Sequence, residues 1–158
     1  MSLLRFLAIL ALALWVGGIF FFAAVLAPTV FGVLPTRALA GVVVSHSLAA
    51  LHWIGLVCGV VFLIASMLHA KRHDGSAEPL AARHVLVVLM LAITLYSQFG
   101  LGKRMLRLRD EMGTIDLVAK DDPRRVEFNR MHHWSTRLEG AVFFFGVGAL
   151  FCASRRLS

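Results

Sequence analysis

The sequence predicts an all-α integral membrane protein, a four-helix bundle with an added interfacial helical segment after the first span and a long polar, helical third loop. Three observations carry this reading. The chain is 59% hydrophobic and 16% charged over 158 residues, well to the apolar side of an ordinary globular domain. Its mean hydropathy is +0.80. Its charges fall at the ends of long apolar runs. A soluble domain of this size buries only part of its surface and could not hide so much apolar side chain from water. In hydrocarbon each backbone polar group must be satisfied within its own segment, which selects helices.

The first span is expected over 4–27, ending at Pro28. The run from Phe6 to Ala27 is 22 residues long, longer than the core of a secretory signal. The stretch Ala24-Val25-Leu26-Ala27 precedes a proline, so a retained helix is expected. Residues Ala38 to Leu68 carry no formal charge with neutral histidines, and number 31. About 20 apolar residues cross the hydrocarbon. This surplus predicts an interfacial or steeply tilted segment over 36–46, then a second span over 48–68. The polar turn His73 to Pro79 leads to a third span over 83–101, where Gly100, Gly102 and Lys103 break the pattern.

Arg104, Arg107, Asp110 and Glu111 are spaced as on a continuing, water-exposed helix, which Met112-Gly113-Thr114 should end. Asp122-Pro123 reads as a helix start, with Asp122 as cap. The apolar part of the last helix, Gly140 to Ala153, has only 14 residues. A fourth span over 134–153 therefore recruits Trp134 to Glu139. All four spans form a single transmembrane domain, residues 1–158. Gly55 and Gly59, four apart, are candidates for a close helix interface.

Four spans put both termini on one side. That side holds six Lys and Arg, and the other holds Arg37 plus nine in the third loop. The positive-inside rule favours the long loop as cytoplasmic, although six acids share that loop. The net charge of +7 is assigned to lipid headgroups. No nucleic-acid-binding motif accompanies it. Cys58 and Cys152 lie in apolar runs and read as buried structural thiols.

Ionisable residues at membrane depth are costly and hence the first functional candidates. His132, Ser135 and Glu139 recur at steps of three and four, so they form one polar stripe descending a helix face. Arg104 or Arg107 could approach it from the third span, where Gln98, Ser97 and Tyr96 are also polar. The stripe reads either as a small polar cavity for a ligand, ion or proton, or as a self-satisfied pairing of buried charges. The seven histidines show no metal-ligand spacing such as HExxH. No nucleophile arrangement is visible, and no catalytic residue, metal ligand or cofactor site is assigned.

Trp15-Val16-Gly17-Gly18, Phe21-Phe22, Ala27-Pro28 and Phe31 resemble the first-span pattern of the transmembrane protein 205-like family, which includes small bacterial membrane proteins of unknown function. Arg37 with Ala40-Gly41 resembles its next block. Phe128 to Ser135, with Met131 as the aliphatic position, His132 and Ser135, resembles its late block. Glu139 stands where asparagine is common. The resemblance covers most of the chain and implies four spans in a bacterial cytoplasmic membrane. The eukaryotic namesake's link to platinum-drug resistance implies export or trafficking. The Trp-x-Gly-Gly block alone is also similar to copper-resistance and protoporphyrinogen-oxidase membrane proteins. Two functions are therefore carried forward. One is a non-enzymatic membrane protein binding a small molecule or ion, in the manner of a transport accessory. The other is a haem- or metal-dependent membrane oxidoreductase. A Soret band or stoichiometric metal in the detergent-purified protein is expected of the second alone.

Overall fold

A computed structural model describes residues 3–74 and 80–156. The expected turn after the second span lies partly outside them, at 75–79. Four long helices span α1 (Leu3–Val33), α2 (Arg37–Asp74), α3 (Ala82–Met112) and α4 (Pro123–Arg156). Each is long and apolar enough to cross a membrane, and no strand occurs among the described residues. The chain is thus an integral membrane helical bundle. A turn of 3₁₀ helix, Ile115–Leu117, lies between α3 and α4.

Two helices continue where the sequence suggested an end. Pro28 does not stop α1, because a wide π turn over Phe22–Leu26 immediately precedes it. Proline lacks an N–H and its ring collides with the carbonyl four residues back. The wider turn relieves that collision, and the helix resumes to Val33. The glycines near residue 100 likewise fall at a second π turn, Ser97–Leu101, after which α3 runs on to Met112. Gly113 ends it with φ of 63°, a left-handed conformation that suits glycine.

The segment over 36–46 is helical, but it is the first part of α2 and not a separate element. Thr36 caps it, its Oγ1 accepting from the Leu39 N–H at 3.2 Å. Polar side chains within this part of α2 bond back to their own helix. Ser45 donates to the Gly41 carbonyl at 2.5 Å, and His46 Nδ1 lies 2.9 Å from the Val42 carbonyl. At the start of α4, Asp122 Oδ1 accepts from the Arg124 N–H at 2.8 Å. The Arg124 side chain, bonded to the same carboxylate, holds Asp122 down at about 2.

The helices pack in a ring, α1 against α2, α2 against α3, α3 against α4, and α4 back against α1. Thus α2 and α4 are diagonal partners. Trp15, Leu12, Phe62, Val87, Met90 and Val142 fill the centre. Trp15 is buried there rather than facing lipid, while Phe20 and Phe21 are exposed on the bundle surface. Its indole lies in the slot left by Gly55 and Gly59. A Cβ on Gly55 would meet Trp15 Nε1 at 2.2 Å, and one on Gly59 would meet Trp15 Cζ3 at 2.8 Å. Gly146 makes the matching close approach to Val16: a Cβ there would meet Val16 Cγ2 at 2.5 Å. Free Cys58 is buried and Cys152 half-buried, both unbridged.

At about 1.5 Å per residue, helices of this length outrun the ~30 Å hydrocarbon layer. The surplus lies on the side of the third connection. There the end of α3 and the start of α4 are charged, and Arg109 ties them to α2. Its Nη1 donates to the Gly41 carbonyl at 3.2 Å and to Ser45 Oγ at 3.0 Å, and its guanidinium lies over the Phe128 ring.

Gly55→Ala is expected to destabilise the bundle by about 1–3 kcal/mol, the usual cost of overpacking a tight core. Gly17, with nothing within 4 Å of an added Cβ, should accept alanine with little change. Circular dichroism during denaturant titration in detergent micelles reads both. Equal losses would refute the Trp15 slot as the reason.

Candidate functional site

The helical ladder of α2 decides which side chains enter the bundle. His52, Gly55, Gly59, Phe62 and Ser66 follow steps of three and four, so they share one face. All five are buried. The same rule on α3 aligns His84, Val87, Leu91, Thr94 and Gln98, and on α4 Ser135, Glu139, Val142 and Gly146. Once Trp15 fixes the depth of α2, its interior polar residues face those of α3 and α4 at two levels.

The first level lies toward the third connection. His52 Nε2 is 3.2 Å from Glu139 Oε2, and His52 Nδ1 is 2.9 Å from Gln98 Oε1. The Glu139 side chain is only 14% exposed and that of His52 only 6%. The contact crosses the bundle along its α2–α4 diagonal, with Gln98 supplied by α3 between them. The Gln98 carbonyl only accepts, so His52 Nδ1 carries a hydrogen. Between Nε2 and Oε2 one further proton is then needed. On the histidine it makes an ion pair, and on Glu139 a neutral pair. Both settings are neutral overall, which removes the cost of an unpaired buried charge.

Access to this level is graded along α4. His132 is exposed, Ser135 is half-buried and Glu139 is nearly enclosed. The three residues predicted as a stripe therefore form a run of falling exposure that ends at the His52 contact. Arg104 does not approach it. Arg104 pairs with Glu127 on the exposed surface between α3 and α4. The arginine that reaches across is Arg109, one and a half turns further on. Its position depends on α3 continuing past the glycines. Beside Gln98 in the π turn, Ser97 is buried and its Oγ has no hydrogen-bond partner.

The second level lies toward the termini. Ser66 Oγ is 2.9 Å from His84 Nε2 and accepts from Arg83 Nε at 3.3 Å. The geometry suits a serine hydroxyl that accepts from the arginine and donates to the histidine. All three are buried, and the Phe62 ring meets His84 edge-on. The apolar layer of Trp15, Val87, Met90 and Val142 separates the two levels. Among the described residues, no three His, Cys, Asp or Glu side chains gather in a way that could hold a metal ion.

Sequence reasoning identified Glu139 by its depth but missed its partner. His52 is one of seven histidines whose spacing carries no signal of its own. The signal that could have found it is the Gly55–Gly59 pair, since the face that brings these glycines to a neighbour also carries His52 inward.

Comparison with known proteins adds a family. Residues 10–114 match a domain of unknown function, DUF4149, and the chain belongs to that family. The match takes in most of α1 and all of α2 and α3, with His52 and Gln98, and stops short of α4 and Glu139. No curated protein and no solved structure matches the chain.

Removing one partner of the cluster leaves the other buried and unmatched. Glu139→Leu is expected to cost about 1–3 kcal/mol, the usual penalty for an orphaned buried polar group. Adding His52→Phe should recover part of that loss, with a coupling of about 0.5–3 kcal/mol. Stability of the two single variants and the double variant in micelles checks this. Strict additivity would show that the diagonal contact contributes nothing.

Proposed function

We propose that the bundle is a non-enzymatic membrane protein that binds a small solute or ion at Glu139, taken up from the side of the third connection. One observation carries the reading. An ionisable pair, His52 and Glu139, is held across the bundle diagonal at the inner end of a polar run whose exposure falls along α4. Ionisable groups at membrane depth are costly and, by default, candidates for ligand or ion paths. Because the pair is neutral with its shared proton on either residue, a cation or hydrogen-bonding solute could displace that proton or the hydrogen bond itself. The unmatched Ser97 hydroxyl adds hydrogen-bonding capacity beside Gln98. Arg104, paired with Glu127, lies outside the proposed site.

The likeness to the transmembrane protein 205-like family supports placing the chain in a bacterial cytoplasmic membrane and in an accessory role in export or trafficking. The excess of cations in and beside the third connection supports a cytoplasmic opening.

The test is chemical access. With Cys58 and Cys152 replaced, the variants His132→Cys, Ser135→Cys and Glu139→Cys are placed singly in sealed vesicles. A membrane-impermeant cationic methanethiosulfonate is then added to either face. Labelling is expected from the third-connection side alone, with rates falling in the order given. Phe144→Cys, on the bundle surface, should stay unlabelled. Lack of labelling at both Ser135→Cys and Glu139→Cys would remove the path and with it the proposed site.

A further inference from the structure

A second feature of α4 lies on the face opposite Glu139. Arg130, His133, Trp134 and Arg137 follow steps of three, one and three, so all four side chains leave the helix on one side. With Leu101 and Met131 they line an open groove of about 680 Å³. Leu101 and Met131 are buried and form its apolar floor, while the four polar and aromatic residues are exposed.

Depth identifies what the groove meets. Leu101 is the last residue of the π turn, just before Gly102 and Lys103, so the hydrocarbon-length part of α3 ends there. On α4 the uncharged stretch begins at Gly140, one residue beyond Glu139. Arg137 therefore sits at the edge of the apolar layer. Arg130, seven residues away, lies about 10 Å further out at 1.5 Å per residue. The groove spans the headgroup zone, where tryptophan is at home.

Its charge is uncommitted. Arg104 pairs with Glu127, Arg124 with Asp122, Arg125 donates to the Val118 carbonyl, and Arg109 binds α2. Among the described residues, Arg130 and Arg137 have no acidic partner. Two guanidinium groups on one wall can each offer paired N–H donors to a phosphate. His133 adds a ring nitrogen and Trp134 an indole N–H. The apolar floor suits the glycerol and first methylenes of an acyl chain. Basic pockets of this kind on membrane helices select anionic headgroups.

We propose that this groove is a binding site for the phosphate group of an anionic phospholipid, held by Arg130 and Arg137. It is separate from Glu139, and neither reading depends on the other.

The full chain, purified in mild detergent, is titrated with phosphatidylglycerol, phosphatidylcholine or inorganic phosphate, and bound species are counted by native mass spectrometry. Saturable retention of phosphatidylglycerol, at least 10-fold tighter than phosphatidylcholine, is expected. The double variant Arg130→Gln/Arg137→Gln should lose that 10-fold preference while circular dichroism shows unchanged helix content. Arg107→Gln, an exposed arginine outside the groove, should keep it. Equal retention of the two lipids would overturn the proposal, as would an unaffected double variant. So would inorganic phosphate binding as tightly as the lipid, since the site would then serve a soluble anion.

Discussion

The seating of Trp15 against Gly55 and Gly59 sets the register on which the rest of the bundle depends. Helices in lipid gain little from hydrophobic segregation, because the surroundings are as apolar as the side chains. Close backbone approach and shape must do the work instead. A flat indole of that size admits α2 only at the depth where two glycines pass it. The contact then fixes His52 one turn to one side of the indole and Ser66 two turns to the other. Gln98 and Glu139 meet His52 because α3 and α4 pack antiparallel at matching depth. Glu139 thus acquires its partner through a contact in which neither residue takes part.

The two π turns have a related effect. Each lies where the sequence carries a helix-weakening feature, Pro28 in α1 and the glycines around residue 100 in α3. A helix that ended at either place would leave backbone groups unpaired near the membrane surface, which is costly in lipid. Widening one turn keeps the ladder intact. In α3 the helix runs on past the glycines and carries Arg109 out to α2. The charged part of the protein beyond the membrane is therefore continuous with the spans and braced by a guanidinium that donates to both a carbonyl and a hydroxyl.

Helix α4 is the weakest span by apolar length, and this follows from its two faces. One face carries the descending run from His132 to Glu139. The other carries Arg130 and Arg137, both exposed. Neither face can be made more apolar without losing polar residues: on one, Glu139 is nearly enclosed within the ring, and on the other Arg130 and Arg137 are exposed. Burial of Glu139 is tolerable because His52 completes a neutral pair, whereas Arg130 and Arg137 remain near water.

The sequence by itself determined the solvent and the secondary structure. Its long uncharged runs admit only membrane helices, and their steps of three and four already separated an inner from an outer face. Thr36, Gly113 and Asp122 marked helix ends because capping is a local matter of one or two turns. The depth of Glu139 was legible for the same reason, from apolar length along a single helix. Only the tertiary structure decided which residue would answer it. His52 lies 87 positions away on a diagonal helix, and no local pattern encodes the register between helices. Arg109 displaced Arg104 as the bridging cation for a like reason. A π turn shifts every later residue around the axis, so counting steps along an ideal helix misplaces the residues beyond it. The four-span bundle thus follows from composition and period, while its polar interior follows from where one tryptophan fits between two glycines.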